Sequence, residues 1–300
     1  MNKALTLTVI ANMTSNYSQS LGNIASIQKV FRNQHVYAIR SRESLKNALM
    51  VQSGLYDDLQ TSVDKAVQKK VSENINVATC RALEGGYMNT KVETSDGEKN
   101  ATYVRKSSFY VTDAIASDSF VNDARFHNNL YLAATEAKQE HLNIQKDADK
   151  VGLMPYQYEY DKSYKIYSLT IDLERVGKDE NFNVEADGVE KTARVIAILD
   201  AVQNLSLVVK GNLDNAEPLF VAGGLSPRKT HYFENVIHIK QGALEITDDL
   251  KDKLKEGFSC GLLQGGALTN ETAIRNILQP KSVSRFFIDL KEAVRDYYKE

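Results

Sequence analysis

The sequence predicts an α+β fold built on a ferredoxin-like sheet with elaborations, and three observations predict it. Residues 4–11 alternate: Leu5, Leu7 and Val9 fall on one face, Thr6, Thr8 and Ile10 on the other, which is the period of a strand. Residues 166–173 (IYSLTIDL) repeat that pattern. They precede the best helical period in the chain, Val189 to Leu207, where Val195, Ile198, Leu199, Val202 and Leu205 share a face and no Gly or Pro intervenes. The order of elements is strand, helix, large irregular insertion, strand, helix, hairpin, strand, helix, which is a βαβ-βαβ skeleton.

After the first strand, Asn12 to Asn23 carries little but Asn, Ser, Thr, Gln, Tyr and Gly. It reads as a polar loop, either floppy or built to hold something polar. Val36 to Ile39 is a short apolar run. Ser41 then caps a helix whose stripe is Leu45, Ala48 and Leu49, with Arg42, Lys46 and Asn47 outside. Gly54 to Asn76 has helical spacing through Leu55, Leu59, Val63 and Val67, and Gly85 to Ala101 is a loop or hairpin by composition. Tyr103 to Asp113 reads as a strand.

Asp118 to Tyr131 interleaves Arg125 and His127 with Phe120, Phe126 and Tyr131. That mixture suits single-stranded nucleic acid, and equally a surface loop pinned by its aromatics. Residues 133–150 read as a polar helix. Five tyrosines (156, 158, 160, 164 and 167) lead into the second strand, as a stacking platform or as rings packed on a sheet with wet hydroxyls. From Val208 the chain makes a hairpin-like excursion through Gly211, Pro218, Leu219-Phe220-Val221, Gly223-Gly224 and Pro227-Arg228-Lys229. It closes in an alternating strand, Tyr232 to Ile239. Val283 to Tyr298 is a terminal amphipathic helix. Compact domains rarely carry irregular segments as long as 80–160 without a functional reason.

The 300 residues are 42% hydrophobic and 25% charged, ordinary for a soluble globular chain, with net charge -2. That balance opposes a dedicated duplex-DNA binder but allows a local basic groove. Cys80 and Cys260 lie outside any CxxC and read as small buried side chains. Neither a secretory apolar core nor a run of about 20 apolar residues occurs, so a cytoplasmic location is expected. No HExxH, GxSxG, paired His/Cys spacing or strand-following GxGxxG is present. No catalytic residue, metal or cofactor is expected, which favours a binding or scaffold protein over an enzyme.

Two ordered motifs carry a resemblance. The first is the opening strand, a loop with Asn16 and Gly22-Asn23, and RSRESLKNAL from Arg40 to Leu49. The second is ARVIAILDAVQNL from Ala193 to Leu205, followed by Gly223-Gly224-Leu225-Ser226-Pro227. Together they resemble the backbone subunit of type I CRISPR surveillance complexes (Cascade), in the DevR-like autoregulator branch found with type I-B systems.

The resemblance implies an RRM-like palm, an inserted finger or lid, and a thumb β-hairpin. The first part of the palm is then 1–52, the insertion 53–165, and the second part of the palm 166–300, with the thumb at about 211–229. It implies copies of the chain aligned along a CRISPR RNA, which pairs with target DNA. The implied partners are a large subunit, small subunits, a subunit capping the guide 5′ end and a processing endonuclease. The implied RNA contacts are neutral donors (Asn16, Ser18, Gln19, Gly22, Asn23), the charges and cap of the helix (Arg40, Ser41, Arg42, Lys46), Arg125 in the insertion, and Phe220, Gly223, Gly224, Arg228 and Lys229 at the thumb. On physical grounds a backbone-tracking groove needs a few cations and many neutral donors.

Related subunits that cut target RNA use an aspartate after the first strand, whereas Asn12 to Val30 contains no Asp or Glu. No nuclease activity is therefore expected. The alternative is an RNA-cleaving backbone subunit or precursor-processing endonuclease, with His127 and Asp123 as its candidates. A transcriptional autoregulator is a third reading, unsupported by any helix-turn-helix pattern.

Overall fold

The computed structural model describes residues 2–21, 24–57, 63–64, 68–90, 92–94, 97–99 and 102–299. Its principal elements in chain order are β1 (Ala4–Thr14), β2 (Tyr17–Leu21), β3 (Ile24–Ile27), β4 (Lys29–Arg32), β5 (His35–Arg40) and α1 (Arg42–Gln52). Residues 53–161 contribute β6 (Phe109–Val111), β7 (Ala114–Ala116), β8 (Ala124–His127), α2 (Leu130–Gln139) and β9 (Tyr156–Glu159). Then come β10 (Lys162–Asp172), α3 (Gly188–Gln203), β11 (Ser206–Val209), β12 (Asn212–Asn215) and β13 (Pro218–Ser226). The chain continues with α4 (Asp248–Lys255), β14 (Ser259–Leu262), α5 (Glu271–Leu278), β15 (Lys281–Ser282) and α6 (Val283–Lys299).

The main sheet runs β15-β14-β13-β1-β10-β7-β5-β4, with β6 also on β10. Its centre, β13-β1-β10-β7, is antiparallel. With the helices it makes the expected mixed α+β architecture, a large sheet with helices packed on it. The face assignment in β1 holds. Leu5, Leu7, Val9, Ala11 and Met13 join Leu45, Leu49, Val195, Ile198, Leu199 and Phe287 in one core beneath α1, α3 and α6. On the other face, Ile10, Phe220 and Ala222 pack with Phe233, Ile237, Leu250 and Cys260. On this second face a polar ladder is also buried, Thr8 to Ser168 at 2.7 Å and Thr6 to Thr170 at 3.5 Å. It is closed from outside by Tyr232 N to Thr6 Oγ1 at 3.2 Å and by His231 Nδ1 against Thr170 Oγ1 at 2.8 Å.

Four expectations change. Asn12–Asn23 is not a loop where it is described: β1 extends to Thr14 and β2 follows, paired with β3 through the backbone. Gly54–Asn76 is not a continuous helix: α1 ends at Gln52, and residues 63–64 and 68–69 pair as short strands. Val71 and Val77 instead seed a small separate core with Cys80, Leu83 and Tyr87. Tyr232–Ile239 is a run of turns, with Ile237 N donating to Phe233 O at 3.2 Å, because its buried residues Phe233 and Ile237 are spaced by four. The hairpin expected at 211–229 lies at β11–β12, residues 206–215. Pro218–Ser226 is a strand of the main sheet beside β1.

A buried ion network joins Glu84, Arg105 and Ser108 to α3. Glu84 accepts from Arg194 at 2.9 Å, Arg105 at 3.3 Å, Ser108 Oγ at 2.6 Å and the Gly177 amide at 2.6 Å. Arg194 also donates to the carbonyls of Val77 and Ala78. Two buried guanidiniums and one carboxylate are tolerated here because their hydrogen-bonding groups find acceptors and donors.

Candidate nucleic-acid interface

The predicted contacts separate into four places. The first is the N-terminus of α1. Ser41 caps it as expected, its Oγ accepting from Ser44 N at 3.3 Å. Asn16 Oδ1 accepts from Ser41 N at 2.7 Å, and Asp113 Oδ1 accepts from Arg42 N at 2.7 Å. These helix-end amides are thus satisfied by the chain itself, through Asn16, Ser41 and Asp113. Arg42 stays exposed, paired with Glu43 at 2.7 Å, which holds the guanidinium pKa up and the carboxyl pKa down. Lys46 donates to Gly85 O and Ser107 Oγ and lies 4.8 Å from the Phe109 ring centre. Arg42 and Lys46 line a groove of about 680 Å³ together with Arg32, Tyr110, Asp113 and His231.

The second place is the end of β1. Arg40 is buried, not a surface phosphate contact: its Nε donates to Thr14 O at 3.0 Å and its Nη1 to Ser44 Oγ at 2.9 Å. Burial pulls its pKa down to about 10, against the opposing pull of Asp214. Asp214 in turn takes Lys162 Nζ at 2.6 Å, and buried Lys165 takes Asp161 at 2.5 Å. Burial likewise lowers the Lys165 pKa. Ser18 donates to Ser26 O at 3.2 Å within the β2–β3 hairpin. The Gln19 side chain, Gly22 and Asn23 lie outside the described residues.

The third place is β13 and its exit. Phe220 is fully buried in the second core, so it is not the exposed RNA contact expected of it. Gly223 is required for strand approach: a Cβ there would collide with the Thr6 carbonyl oxygen. Gly224 sits next to it, opposite Thr6 in the ladder. Arg228 pairs with Glu256 at 3.3 Å, and Lys229 is held between Asp172 and Glu174, each at 2.8 Å. Both cations have carboxylate partners within the chain.

The fourth place gathers residues from four segments. The sheet β8-β9-β3-β2 sets Arg125 opposite Tyr158 and His127 opposite Tyr156, so these side chains share a face. Arg125 lies 3.5 Å above the Tyr160 ring centre, and His127 Nε2 is 3.1 Å from the Tyr158 hydroxyl. Tyr17 packs edge-on to Tyr158 and donates to Glu159 O at 2.9 Å. Burial first, then the neighbouring Tyr158, pushes the Tyr17 pKa up to about 12. Lys210, at the turn of the β11–β12 hairpin, reaches this face: its amine is 4.8 Å from the Tyr17 ring centre and 4.5 Å from that of Tyr156, whose hydroxyl accepts its hydrogen bond. Arg125 and the tyrosine run were visible as a pattern in sequence. Tyr17 and Lys210 carried no such signal, since only folding brings them there.

Among the described residues, no group of three or more His, Cys, Asp or Glu side chains could hold a metal ion, and no helix is long and apolar enough to cross a membrane.

Comparison with known proteins follows the same architecture. No curated protein matches the chain. Among solved structures, a chain of a "CRISPR RNA-guided surveillance complex, pre-nicking" is similar with TM-score 0.58 and 11% identity, over 97% of this chain and 99% of that one. A chain of a "CRISPR RNA-guided surveillance complex" is similar with TM-score 0.53 and 12% identity, over the same shares. At such identities the likeness is one of fold. A family model described as "CRISPR-associated negative auto-regulator DevR/Csa2" matches residues 5–226, from the first strand through β13, and the chain belongs to that CRISPR-associated family.

Proposed function

We propose that this chain is the CRISPR RNA-binding backbone subunit of a type I (I-B-like) Cascade surveillance complex. Copies line up along the guide RNA in the cytoplasm, hold its phosphate backbone without reading sequence, and present it for pairing with target DNA in antiviral defence. The observation that carries this reading is the family match over residues 5–226. The shared fold with chains of guided surveillance complexes supports it. So does the placement of Arg32, Arg42 and Lys46 along one groove of a chain whose net charge is -2. In this reading a large subunit, small subunits, a subunit capping the guide 5′ end and a processing endonuclease complete the assembly.

The subunit holds RNA without cutting it. The missing carboxylate between Asn12 and Val30 supports that, as does His127, which faces a phenol rather than a carboxylate. Co-expression with a CRISPR array tests the binding role. A uniform RNA of guide length should co-elute with a multi-copy protein peak; promoter duplex bound in preference to that RNA would instead make the chain an autoregulator. Incubation with target RNA and a divalent metal tests the rest: the RNA should stay intact, and cleavage lost on His127→Ala would overturn the non-catalytic role.

A further inference from the structure

We infer that Arg125, Tyr160, Tyr156, Tyr17 and Lys210 form a distinct contact for single-stranded nucleic acid, in which an unpaired base stacks on the tyrosine and guanidinium planes and a neighbouring phosphate meets Lys210. This inference rests on the RNA-binding reading above and adds a site to it. The argument begins with charge. Arg42, Arg228 and Lys229 each have a carboxylate partner. Arg125 and Lys210 are both exposed, and their close neighbours are aromatic rings and a phenol rather than an acid. The nearest acid on the adjoining strand, Glu159, is spoken for by Lys29 at 2.6 Å and by the Ile27 amide at 3.0 Å.

Geometry adds selectivity for a base. The Arg125 guanidinium carbon lies 3.5 Å from the Tyr160 ring centre, the spacing of a stacked pair. The guanidinium keeps its outer plane for a second stacking partner and its edge N–H groups for a phosphate. Lys210 occupies the faces of two tyrosines at once, with one exchangeable hydrogen bond to a phenol. A base can take its place on a ring while the ammonium moves to the adjacent phosphate, so both charges stay solvated or paired throughout. Tyr17 and Tyr158 do not need to move: Tyr17 is pinned to the Glu159 carbonyl and Tyr158 to His127. The surface is sequence-tolerant because every base has a ring face.

The test uses the full chain and three probes of about 12 residues, a length within the span such surfaces cover: oligouridine RNA, the matching DNA, and an abasic sugar-phosphate chain. Fluorescence anisotropy should show wild type binding RNA roughly tenfold more tightly than the abasic chain, as expected for one stacked base. Arg125→Gln, a surface change, and Tyr160→Leu should each erase most of that preference. Lys210→Gln should lower the log-log salt slope by about 0.7, one phosphate contact. A preference for RNA assigns the site to the guide and one for DNA assigns it to a target strand; both keep it. If Arg125→Gln, Tyr160→Leu and Lys210→Gln all bind the probes as wild type does, while Arg42→Gln weakens them together, the site is wrong and the functional reading stands. If wild type binds none of the probes, the functional reading fails and the site with it.

Discussion

Asp214 Oδ2 accepts hydrogen bonds from both the backbone amide of Thr14, at 2.7 Å, and its hydroxyl, at 3.0 Å. The second strand of the β11–β12 hairpin is thereby fastened to the end of β1, and Lys162 adds an ion pair to the same carboxylate at 2.6 Å. Asp214→Ala leaves an amide, a hydroxyl and a partly buried ammonium without their partner. It is expected to lower unfolding free energy by about 3 kcal/mol, read as a shift of the urea midpoint. An unchanged midpoint would show that the hairpin is not anchored through Asp214.

Gly223→Ala places a methyl group against the Thr6 carbonyl in the centre of the main sheet. The β1–β13 ladder cannot open locally, because β13 is paired with β14 on its other side. The variant should accumulate in the insoluble fraction, or melt well below wild type. A soluble variant with wild-type melting would contradict the close strand approach.

His231 supplies a pH dependence of known sign. Burial lowers its pKa below the ordinary 6.5, with Glu234 pulling the other way. The unfolded chain therefore binds the proton more readily than the folded one between 6.5 and the lower folded value. Stability should be full above pH 6.5 and fall as pH drops through that window. His231→Gln should flatten this part of a melting-temperature profile, while a profile unaltered by the substitution would place the titration elsewhere.

Arg42 and Lys46 line the same groove but differ in their ties. Arg42 is held by one exposed ion pair, which is worth little in water, so it can turn to a phosphate. Lys46 is engaged with Gly85 O and Ser107 Oγ. Arg42→Gln should reduce the salt slope of RNA binding by about 0.7, equally for unrelated sequences. Filter binding across salt concentrations reads this directly, and a loss confined to one sequence would contradict backbone-only contact.

The elements legible in the sequence were those whose apolar period matched one buried face. β1, β10 and α3 obey that rule, so their faces were assigned correctly. Phe220 misled because Leu219-Phe220-Val221 looks like an apolar tip, whereas a strand buried on both faces also reads as a continuous apolar run. The stretch after Gly54 misled because its apolar residues serve two cores, Leu55 in the main one and Val71 and Val77 in the small one. β2 was invisible because its pairing with β3 is made by the backbone and its side chains are mostly polar. Among the site residues, Arg40 could not be told from a surface arginine. Its burial depends on Thr14 and Ser44 lying beside it, which no spacing in the sequence reveals.

The ladder of Thr6, Thr8, Ser168 and Thr170 has a consequence for where any strand-shaped ligand can lie. An open four-stranded sheet offers its uncovered side as a platform. Here that side is roofed by the chain's own residues, among them Tyr232, Phe233, Ile237, Leu250 and Ile274, and its hydroxyls are spent on one another and on the roof. The accessible ground is the perimeter: the groove beneath α1, and the tyrosine-lined flank that Lys210 reaches across. On the function proposed above, a guide strand would meet this molecule at its rim, leaving the opposite side of that strand open to a second one.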